Sequence, residues 1–190
     1  MKIGVVALQG GFAEHISALN ALGISNIEIR KSEDLTDDLD GLILPGGEST
    51  VIGKLLHETA LFQPIKARID GGMPVWGTCA GMILLADKIS NESYSYFKSI
   101  DITVKRNAFG RQLGSFKIIE SFKGIGDIPM TFIRAPIIET IGSNVRPLAS
   151  VNGQMVAAEN DHVLVTAFHP ELTDDLHVLE YFLHKIKRTC

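Results

Sequence analysis

The segment Pro74-Val-Trp-Gly-Thr-Cys79-Ala-Gly-Met-Ile-Leu-Leu85 sets the fold class of this chain of 190 residues. Its first four residues, Pro74–Gly77, are predicted to form a short buried strand, and Ala80–Ile89 is predicted to form the helix that follows. Glycines stand two residues before and two residues after Cys79, where the strand has to turn sharply into the helix. A strand that leads directly into a helix is typical of α/β folds.

The same alternation runs through the first half of the chain. Three further apolar runs predict buried strands, namely Ile3–Leu8, Asn26–Arg30 and Gly41–Leu44. Helical patterns follow at Ala13–Leu22, from a cap at Ser49 to about His57, and at Ala60–Ile69. Continuous apolar strands separated by helices indicate a parallel sheet that helices cover on both faces. We therefore predict an α/β fold with a doubly wound, mostly parallel sheet.

The second half of the chain has a different pattern, in which short strand-like runs follow one another. The predicted strands are Ile100–Val104, Gln112–Glu120, Thr131–Arg134, Ile137–Ile141, Arg146–Val151, Gln154–Glu159 and His162–Phe168. We expect them to add partly antiparallel structure at the edge of the parallel core. Asp174–Lys187 is predicted to close the chain as a helix. Because there is no repeat and no linker, we predict a single domain over residues 1–190.

The amino-acid composition of the chain argues against several classes of function. Hydrophobic residues make up 45% of the chain and the formal net charge is −4, so neither disorder nor binding to nucleic acid is expected. No apolar run approaches the ~20 residues of a membrane span, and the chain is expected to act in the cytoplasm without membrane contact. A chain of this length needs neither disulfides nor a metal to hold its core. Of the two cysteines, Cys190 is predicted to be an incidental thiol in a frayed tail.

The carboxyl ends of the predicted parallel strands all carry glycine. These ends are Gln9–Gly11, Pro45–Ser49 and Thr78–Gly81. Ligands of such sheets bind beyond the carboxyl ends of the strands, and glycine lets a ligand approach backbone N–H groups closely. We therefore expect the binding site at this edge.

Cys79 has the setting of a catalytic nucleophile. In a Gly-x-nucleophile-x-Gly elbow, the two glycines accommodate a nucleophile with a strained backbone. The start of a helix favours the thiolate, which is the reactive form of cysteine. The N–H of Ala80 is then placed to bind an oxyanion. The alternative is a structural cysteine that packs between strand and helix.

Among the six histidines, His169 has the clearest chemical partner. It ends an apolar run and is followed by proline and Glu171. A residue before proline favours an extended backbone, and side chains at i and i+2 of an extended chain point the same way. Glu171 is therefore predicted to orient His169, which would serve Cys79 as a base. The alternative is a strand-end histidine that bonds to the backbone. The sequence identifies no chemical partner for His15, His57 or His162.

Two short motifs, Gly77-Thr-Cys79-Ala-Gly81 and Phe168-His-Pro-Glu171, together resemble those of the class I, triad-type glutamine amidotransferases. Further segments are similar to those of the glutaminase subunits of pyridoxal 5'-phosphate synthases. The similarity extends from Ile3 to about Phe182. The segments are Ala7–Gly10, Leu42–Thr50, Arg106–Arg111, Ser115-Phe116, Phe132–Pro136 and Phe168–Thr173.

The resemblance implies an enzyme that hydrolyses L-glutamine to L-glutamate and ammonia through Cys79, His169 and Glu171. It implies that the ammonia goes to a synthase subunit, which builds pyridoxal 5'-phosphate (vitamin B6) from a pentose phosphate and a triose phosphate within a large hetero-oligomer. It also implies that the glutaminase carries no cofactor. By the same resemblance, glutamine contacts Gly47, Glu48, Ser49, Arg106, Ile133 and Arg134, and the oxyanion hole consists of the backbone N–H groups of Gly47 and Ala80.

Some roles stay open at the level of sequence. Arg106 or Arg134 could bind the glutamine carboxylate, and either could instead form a surface ion pair. Glu48 could serve the ammonium group or an amide N–H, or it could be a carboxylate favoured by a helix N-terminus. Two rival functions are a peptidase or deglycase-like enzyme with the same elbow, and a non-enzymatic binding module.

We also expect the isolated chain to be a poor glutaminase that its partner activates. The peptide of Gly46-Gly47 can rotate because glycine lacks a Cβ. Gln9-Gly10, at the neighbouring strand end, is placed to sense a docked partner. The alternative is that both loops are rigid turns and that the oxyanion hole is preformed.

Overall fold

A computed structural model describes residues 1–108 and 114–189 of the chain. The predicted doubly wound, mostly parallel α/β fold is confirmed. The strands are β1 (Lys2–Val6), β2 (Ser25–Ile29), β3 (Gly41–Leu44), β4 (Val75–Thr78), β5 (Ala86–Ile89), β6 (Ile100–Lys105), β7 (Ser115–Phe122), β8 (Gly126–Ile133), β9 (Ile137–Ile141), β10 (Arg146–Val151), β11 (Gln154–Glu159) and β12 (Val163–Thr166). The helices are α1 (Phe12–Ala21), α2 (Ser49–Glu58), α3 (Phe62–Asp70), α4 (Ala80–Leu85) and α5 (His177–Thr189).

Parallel strands form the part of the sheet that carries the candidate site. β2, β1, β3, β4 and β12 lie side by side in that order, and each is parallel to its neighbour. Every residue of β3, β4 and β12 is buried. Leu44 of β3 pairs with Gly77, and Thr166 of β12 pairs with Thr78. The three strands therefore end at one edge of the sheet, and the residues that follow them meet there.

The other strands extend the sheet with mainly antiparallel pairing. From β12 the sheet continues through β11, β9 and β6, and β5 pairs parallel with β6 at the far edge. β10 pairs with β11, while β7 and β8 form a separate two-stranded sheet. This arrangement agrees with the prediction of antiparallel structure beside a parallel core. The difference is that β12, which comes from the second half of the chain, belongs to the parallel core.

The predicted helix Ala80–Ile89 is too long. α4 ends at Leu85, and the chain continues directly as β5, in which Ala86 pairs with Ile100 and Ile89 with Val104. The segment Ala86-Asp-Lys-Ile89 is too short for its periodicity to distinguish a further helical turn from a strand. Here the distant strand β6 decides the conformation.

Two predicted helix starts also differ from the structure. Ser49 was expected to cap α2, but it is the first helical residue, and Glu48 is the cap with an extended backbone. The last helix begins at His177 rather than at Asp174. The predicted strand start at Gln112 and the predicted tail residue Cys190 lie outside the described residues. Within the described residues, no helix has both the length and the apolar character needed to cross a membrane.

The helices that flank β4 fix the surroundings of the elbow. The buried ring of Trp76 contacts His15 of α1 and Phe182 of α5, so these two helices pack on one face of the sheet. The side-chain position of Gly77, which carries only a hydrogen, faces the opposite side of the sheet, because side chains alternate along a strand. A methyl group on Gly77 would meet the backbone of Gly81 in α4 at 2.5 Å. The absence of a side chain at Gly77 therefore lets α4 pack directly on the strand.

Candidate active site

Cys79 occupies the strained turn between β4 and α4. Its φ is +49° and its ψ is −101°, a backbone conformation that residues other than glycine rarely adopt. Its N–H donates to the carbonyl oxygen of Thr166 at 2.7 Å, which fixes the turn to β12. A methyl group on Gly81 would lie 2.0 Å from the carbonyl oxygen of Leu44, so the turn requires glycine at that position. The thiol is thereby held at the start of α4.

His169 approaches Cys79 from the end of β12. Its N–H donates to the carbonyl oxygen of Thr131 at 2.8 Å. A methyl group on Gly46 would lie 2.4 Å from Cε1 of His169 and 3.3 Å from Cβ of Cys79. Gly46 therefore leaves the space in which the imidazole stands beside the cysteine.

Glu171 lies behind His169, with its Oε1 2.7 Å from the histidine Nδ1. The contact that the sequence analysis predicts is present, but the predicted reason is wrong. Pro170–Leu172 is a 3-10 turn rather than an extended strand. The turn bends the chain back, so that the buried carboxylate faces the imidazole ring.

The charges of these groups are set by burial and by their neighbours. Burial opposes the charged form of His169, but hydrogen bonds with Cys79 and Glu171 and the charges of both groups raise its pKa to about 10. Burial also favours a neutral Glu171, but the electrostatic interaction with the adjacent imidazole of His15 and the hydrogen bond and charge of His169 lower the pKa of that carboxyl. At neutral pH the carboxylate of Glu171 therefore lies beside the imidazolium of His169, which in turn lies beside the sulfur atom of Cys79.

Cys79 and His169 open into a cavity of about 220 Å³. All the residues that the resemblance assigns to glutamine or to the oxyanion hole line the same cavity, namely Gly47, Glu48, Ser49, Ala80, Arg106, Ile133 and Arg134. Gln9, Ile83 and Asn107 line it as well and were not predicted as site residues. Gln9 belongs to a strand end at which the sequence predicts the binding site, and Asn107 directly follows Arg106.

The mouth of the cavity carries two arginines and a glutamate. Arg134 Nη2 is 3.9 Å from Glu48 Oε2, and both side chains are exposed. Arg106 contacts Tyr94 through a 3.3 Å hydrogen bond to its hydroxyl, and its Nη1 lies 3.7 Å from Glu92. The buried Nε of Arg106 has no hydrogen-bond partner within residues 1–108 and 114–189. The exposed pair of Arg134 and Glu48 is weak at this distance, so a charged ligand can replace it.

Two glycine-rich loops are joined beside the cysteine. The N–H of Glu48 donates to Gln9 Oε1 at 2.8 Å, and the N–H of Gly11 donates to the carbonyl oxygen of Gly46 at 3.0 Å. Gly10 has φ +99°, and a methyl group there would lie 1.8 Å from that same oxygen. On the opposite side, Ala80 is the first residue of α4, where the N–H has no intrahelical acceptor.

His15 is the main residue that the sequence analysis missed. It lies in α1, it is 1% exposed, and its Nε2 is 3.2 Å from the hydroxyl oxygen of Thr78 and 3.6 Å from Oε2 of Glu171. The sequence analysis found no chemical partner for it. The available signal is its position on the helix that follows β1, since β1 ends at the same edge of the sheet as the predicted site.

Comparison with a solved structure and with a family model identifies the class of protein to which this fold belongs. A solved structure described as a crystal structure of glutamine amidotransferase has a TM-score of 0.92, is 42% identical, and is matched over 97% of this chain and 98% of that chain. The fold is that of a glutamine amidotransferase. The model of the SNO glutamine amidotransferase family matches residues 5–188. The chain belongs to the SNO glutamine amidotransferase family.

Relatives of similar length carry a more specific name. The pyridoxal 5'-phosphate synthase subunit PdxT of Streptococcus pneumoniae (strain CGSP14) is 53% identical over 190 residues, which cover 98% of each chain. The subunit of the same name from Haemophilus influenzae (strain PittGG) is 55% identical over 186 residues, which cover 96% of this chain and 97% of that protein. The predicted family resemblance is confirmed. Family membership also favours the glutamine amidotransferase interpretation over the peptidase and binding-module alternatives.

Proposed function

We propose that this chain is the glutaminase of a pyridoxal 5'-phosphate synthase, and that it works through a triad of Cys79, His169 and Glu171. The observation that carries the proposal is the 2.7 Å contact between His169 and Glu171, directly behind a cysteine elbow that opens into a cavity. The two relatives named as subunits of that synthase support the choice of partner.

In the first half-reaction, the thiolate of Cys79 attacks the side-chain carbonyl carbon of glutamine. The carbonyl oxygen becomes an oxyanion, which accepts hydrogen bonds from the backbone N–H groups of Gly47 and Ala80. The imidazolium of His169 then donates its proton to the leaving nitrogen. The C–N bond breaks, ammonia departs, and the glutamyl group stays on sulfur as a thioester.

In the second half-reaction, water replaces ammonia. Neutral His169 accepts a proton from the water as the oxygen attacks the thioester carbon, and the same oxyanion hole holds the second oxyanion. The C–S bond then breaks, glutamate leaves, and the thiolate and imidazolium are restored. Glu171 stays ionised throughout, because its role is to hold the ring and to stabilise the imidazolium.

The charges at the mouth of the cavity complement the α-carbon of glutamine. This carbon carries one carboxylate and one ammonium group. An arginine, either Arg106 or Arg134, binds the carboxylate, since a guanidinium forks onto two oxygens. Glu48 binds the ammonium group. The side chain of glutamine then extends inward, past Ser49 and Ile133, until its amide reaches Cys79.

The acceptor of the ammonia is the synthase subunit, which binds this chain in a hetero-oligomer. Free ammonia is lost to water, so hydrolysis is useful only beside an acceptor site. The large size of the assembly, the cytoplasmic location and the lack of contacts with nucleic acid or membrane stay predictions from the sequence.

A nitrogen-source exchange tests the function. The synthase subunit is supplied with a pentose phosphate and a triose phosphate, and formation of pyridoxal 5'-phosphate is followed by absorbance. With glutamine as nitrogen source, product should form only when this chain is added. With ammonium chloride, it should form without the chain.

The matched control is Cys79→Ala in the same assay. It should abolish the reaction with glutamine and leave the reaction with ammonium chloride unchanged. If glutamine supports product formation equally well without this chain, or with Cys79→Ala, the proposed function is wrong.

A further inference from the structure

The carboxylate of Glu171 has two oxygens, and the triad uses only one of them. Oε1 contacts His169, whereas Oε2 is buried and has no hydrogen-bond partner within the described residues. Nε2 of His15 lies 3.6 Å from Oε2, and the backbone N–H of Glu171 itself also contributes a hydrogen bond that lowers the pKa of this carboxyl. Burying a carboxylate oxygen without a hydrogen-bond donor costs free energy. The neighbouring His15 therefore matters for the position of this carboxylate.

The hydrogen of His15 can be assigned from its surroundings. Burial, the largest effect, lowers the pKa of His15, and the charge of His169 lowers it further, against the opposing charges of Glu171 and Glu14. The ring is therefore neutral at pH 7 and carries one hydrogen. If that hydrogen were on Nδ1, the lone pair of Nε2 would face the anionic Oε2. The hydrogen is therefore on Nε2, which lies 3.6 Å from Oε2 and 3.2 Å from the hydroxyl oxygen of Thr78.

The ring of His15 is itself held in place. It packs edge-on against Trp76, with 5.3 Å between ring centroids. Its second neighbour, Thr78, directly precedes Cys79 in the elbow. His15 thus joins three parts of the site, namely the face of β4, the strand end before the nucleophile, and the carboxylate behind the base.

We propose that His15 is a positioning residue of the glutaminase, whose Nε2–H holds Oε2 of Glu171 so that Oε1 faces His169. His15 does not touch the substrate. This inference rests on the proposed triad. It adds a fourth side chain that acts through Glu171, and it locates that side chain in α1, about 150 residues before the base it supports.

Three substitutions separate the polar role of His15 from its packing role. His15→Gln can place an amide N–H near the position of Nε2, whereas His15→Asn is one methylene shorter and cannot reach it. His15→Phe keeps the aromatic ring against Trp76 without any N–H. The matched control is His57→Phe, since His57 is an exposed histidine whose ring stacks on Phe62.

The experiment measures ammonia release from glutamine in the full chain with saturating synthase subunit, together with the melting temperature of each variant. His15→Asn and His15→Phe should lower kcat by roughly tenfold or more, with KM for glutamine changed by less than about twofold. His15→Gln should recover most of kcat. His57→Phe should match the unmodified chain.

Equal kcat for His15→Gln and His15→Asn would overturn the inference, even if His15→Phe does not fold. The inference would also be overturned if kcat falls only in those variants whose melting temperature falls as well. Cys79→Ala distinguishes this outcome from a failure of the proposed function. If Cys79→Ala is inactive while His15→Asn is fully active, only the role of His15 is wrong; if Cys79→Ala is active, both proposals are overturned.

Discussion

Nδ1 of His169 lies 2.7 Å from Oε1 of Glu171, the residue two positions later in the chain. The contact passes through a 3-10 turn, and both partners are largely buried. Such a short pair between a histidine and a buried carboxylate fixes the orientation of the ring and stabilises its charged form. The unequal roles of the two residues lead to the first prediction.

Loss of the base should cost more activity than loss of the group that orients it. His169→Ala removes the group that transfers protons to and from the substrate. Glu171→Ala leaves the imidazole in place but removes the contact that fixes the orientation of the ring. Glu171→Ala should therefore retain at least about tenfold more ammonia release than His169→Ala, because triad members contribute unequally. An unchanged turnover for His169→Ala would mean that another base serves Cys79.

The two cysteines should respond in opposite ways to substitution. Cys79→Ala should abolish ammonia release, since Cys79 is the thiol that lines the cavity among residues 1–108 and 114–189. Cys190→Ala, a change at the last residue of the chain, should leave the rate nearly intact. Both variants are assayed with saturating synthase subunit. Substantial ammonia release by Cys79→Ala would contradict the triad.

The stability of the fold should depend on pH through His169. Its pKa is raised from 6.5 to about 10 in the folded chain, so the folded state holds the proton more tightly than the unfolded state. The resulting stabilisation is fully present below pH 6.5 and is lost as the pH rises through about 10. The difference in unfolding free energy between the unmodified chain and His169→Gln should shrink over that range. A difference that stays constant from pH 6 to pH 10 would contradict the assignment.

A methyl group on Gly46 should impair catalysis by displacing the base. It would lie 2.4 Å from Cε1 of His169, so the ring must move. A displacement of about 1 Å at a reacting group costs roughly a hundredfold in rate, and Gly46→Ala should lower kcat by that order. The control is Gly114→Ala, because a methyl group there meets no atom of the described part of the chain within 4 Å. Normal kcat for Gly46→Ala would mean that the imidazole is not confined by this contact.

Binding of the synthase should activate the glutaminase. The N–H of Glu48, which follows Gly47, is bonded to Gln9, so a partner that moves Gln9 can reorient this loop. Because one oxyanion donor is worth roughly a hundredfold to a thousandfold in rate, ammonia release should rise by about that factor with saturating synthase. Equal rates for the chain alone and for the complex would show that the hole is preformed, and would leave the triad unaffected.

The local features of the site could be predicted because they depend on neighbouring residues. The strand, the elbow glycines and the helix after Cys79 lie within one segment, and steric exclusion at Gly77 and Gly81 operates over a few residues. The contact between His169 and Glu171 was predicted for the same reason, although the turn that makes it was not. The sequence is ambiguous about such turns because proline fits both an extended chain and the first turn of a helix.

Features that depend on distant pairing could not be predicted in the same way. Residues 86–89, Ala-Asp-Lys-Ile, directly follow the apolar helix α4, and only their pairing with β6 makes them a strand. His15 has an ordinary position on an amphipathic helix until the parallel sheet brings it to Thr78 and Glu171. The partners are 63 and 156 residues away, and no local pattern encodes such a contact.

The amino-acid sequence alone indicated the α/β class and the cysteine elbow, because steric and periodic rules act on neighbours in the chain, whereas the residues assigned to glutamine came from the family resemblance. The packing of segments that lie far apart in the chain places β12 beside β4, which brings His169 to Cys79 from 90 residues away. It also sets which buried oxygen of Glu171 faces His15. Those outcomes depend on strand order and on side-chain packing. Both are stabilised by contacts between segments that lie far apart in the chain and that no local sequence pattern links.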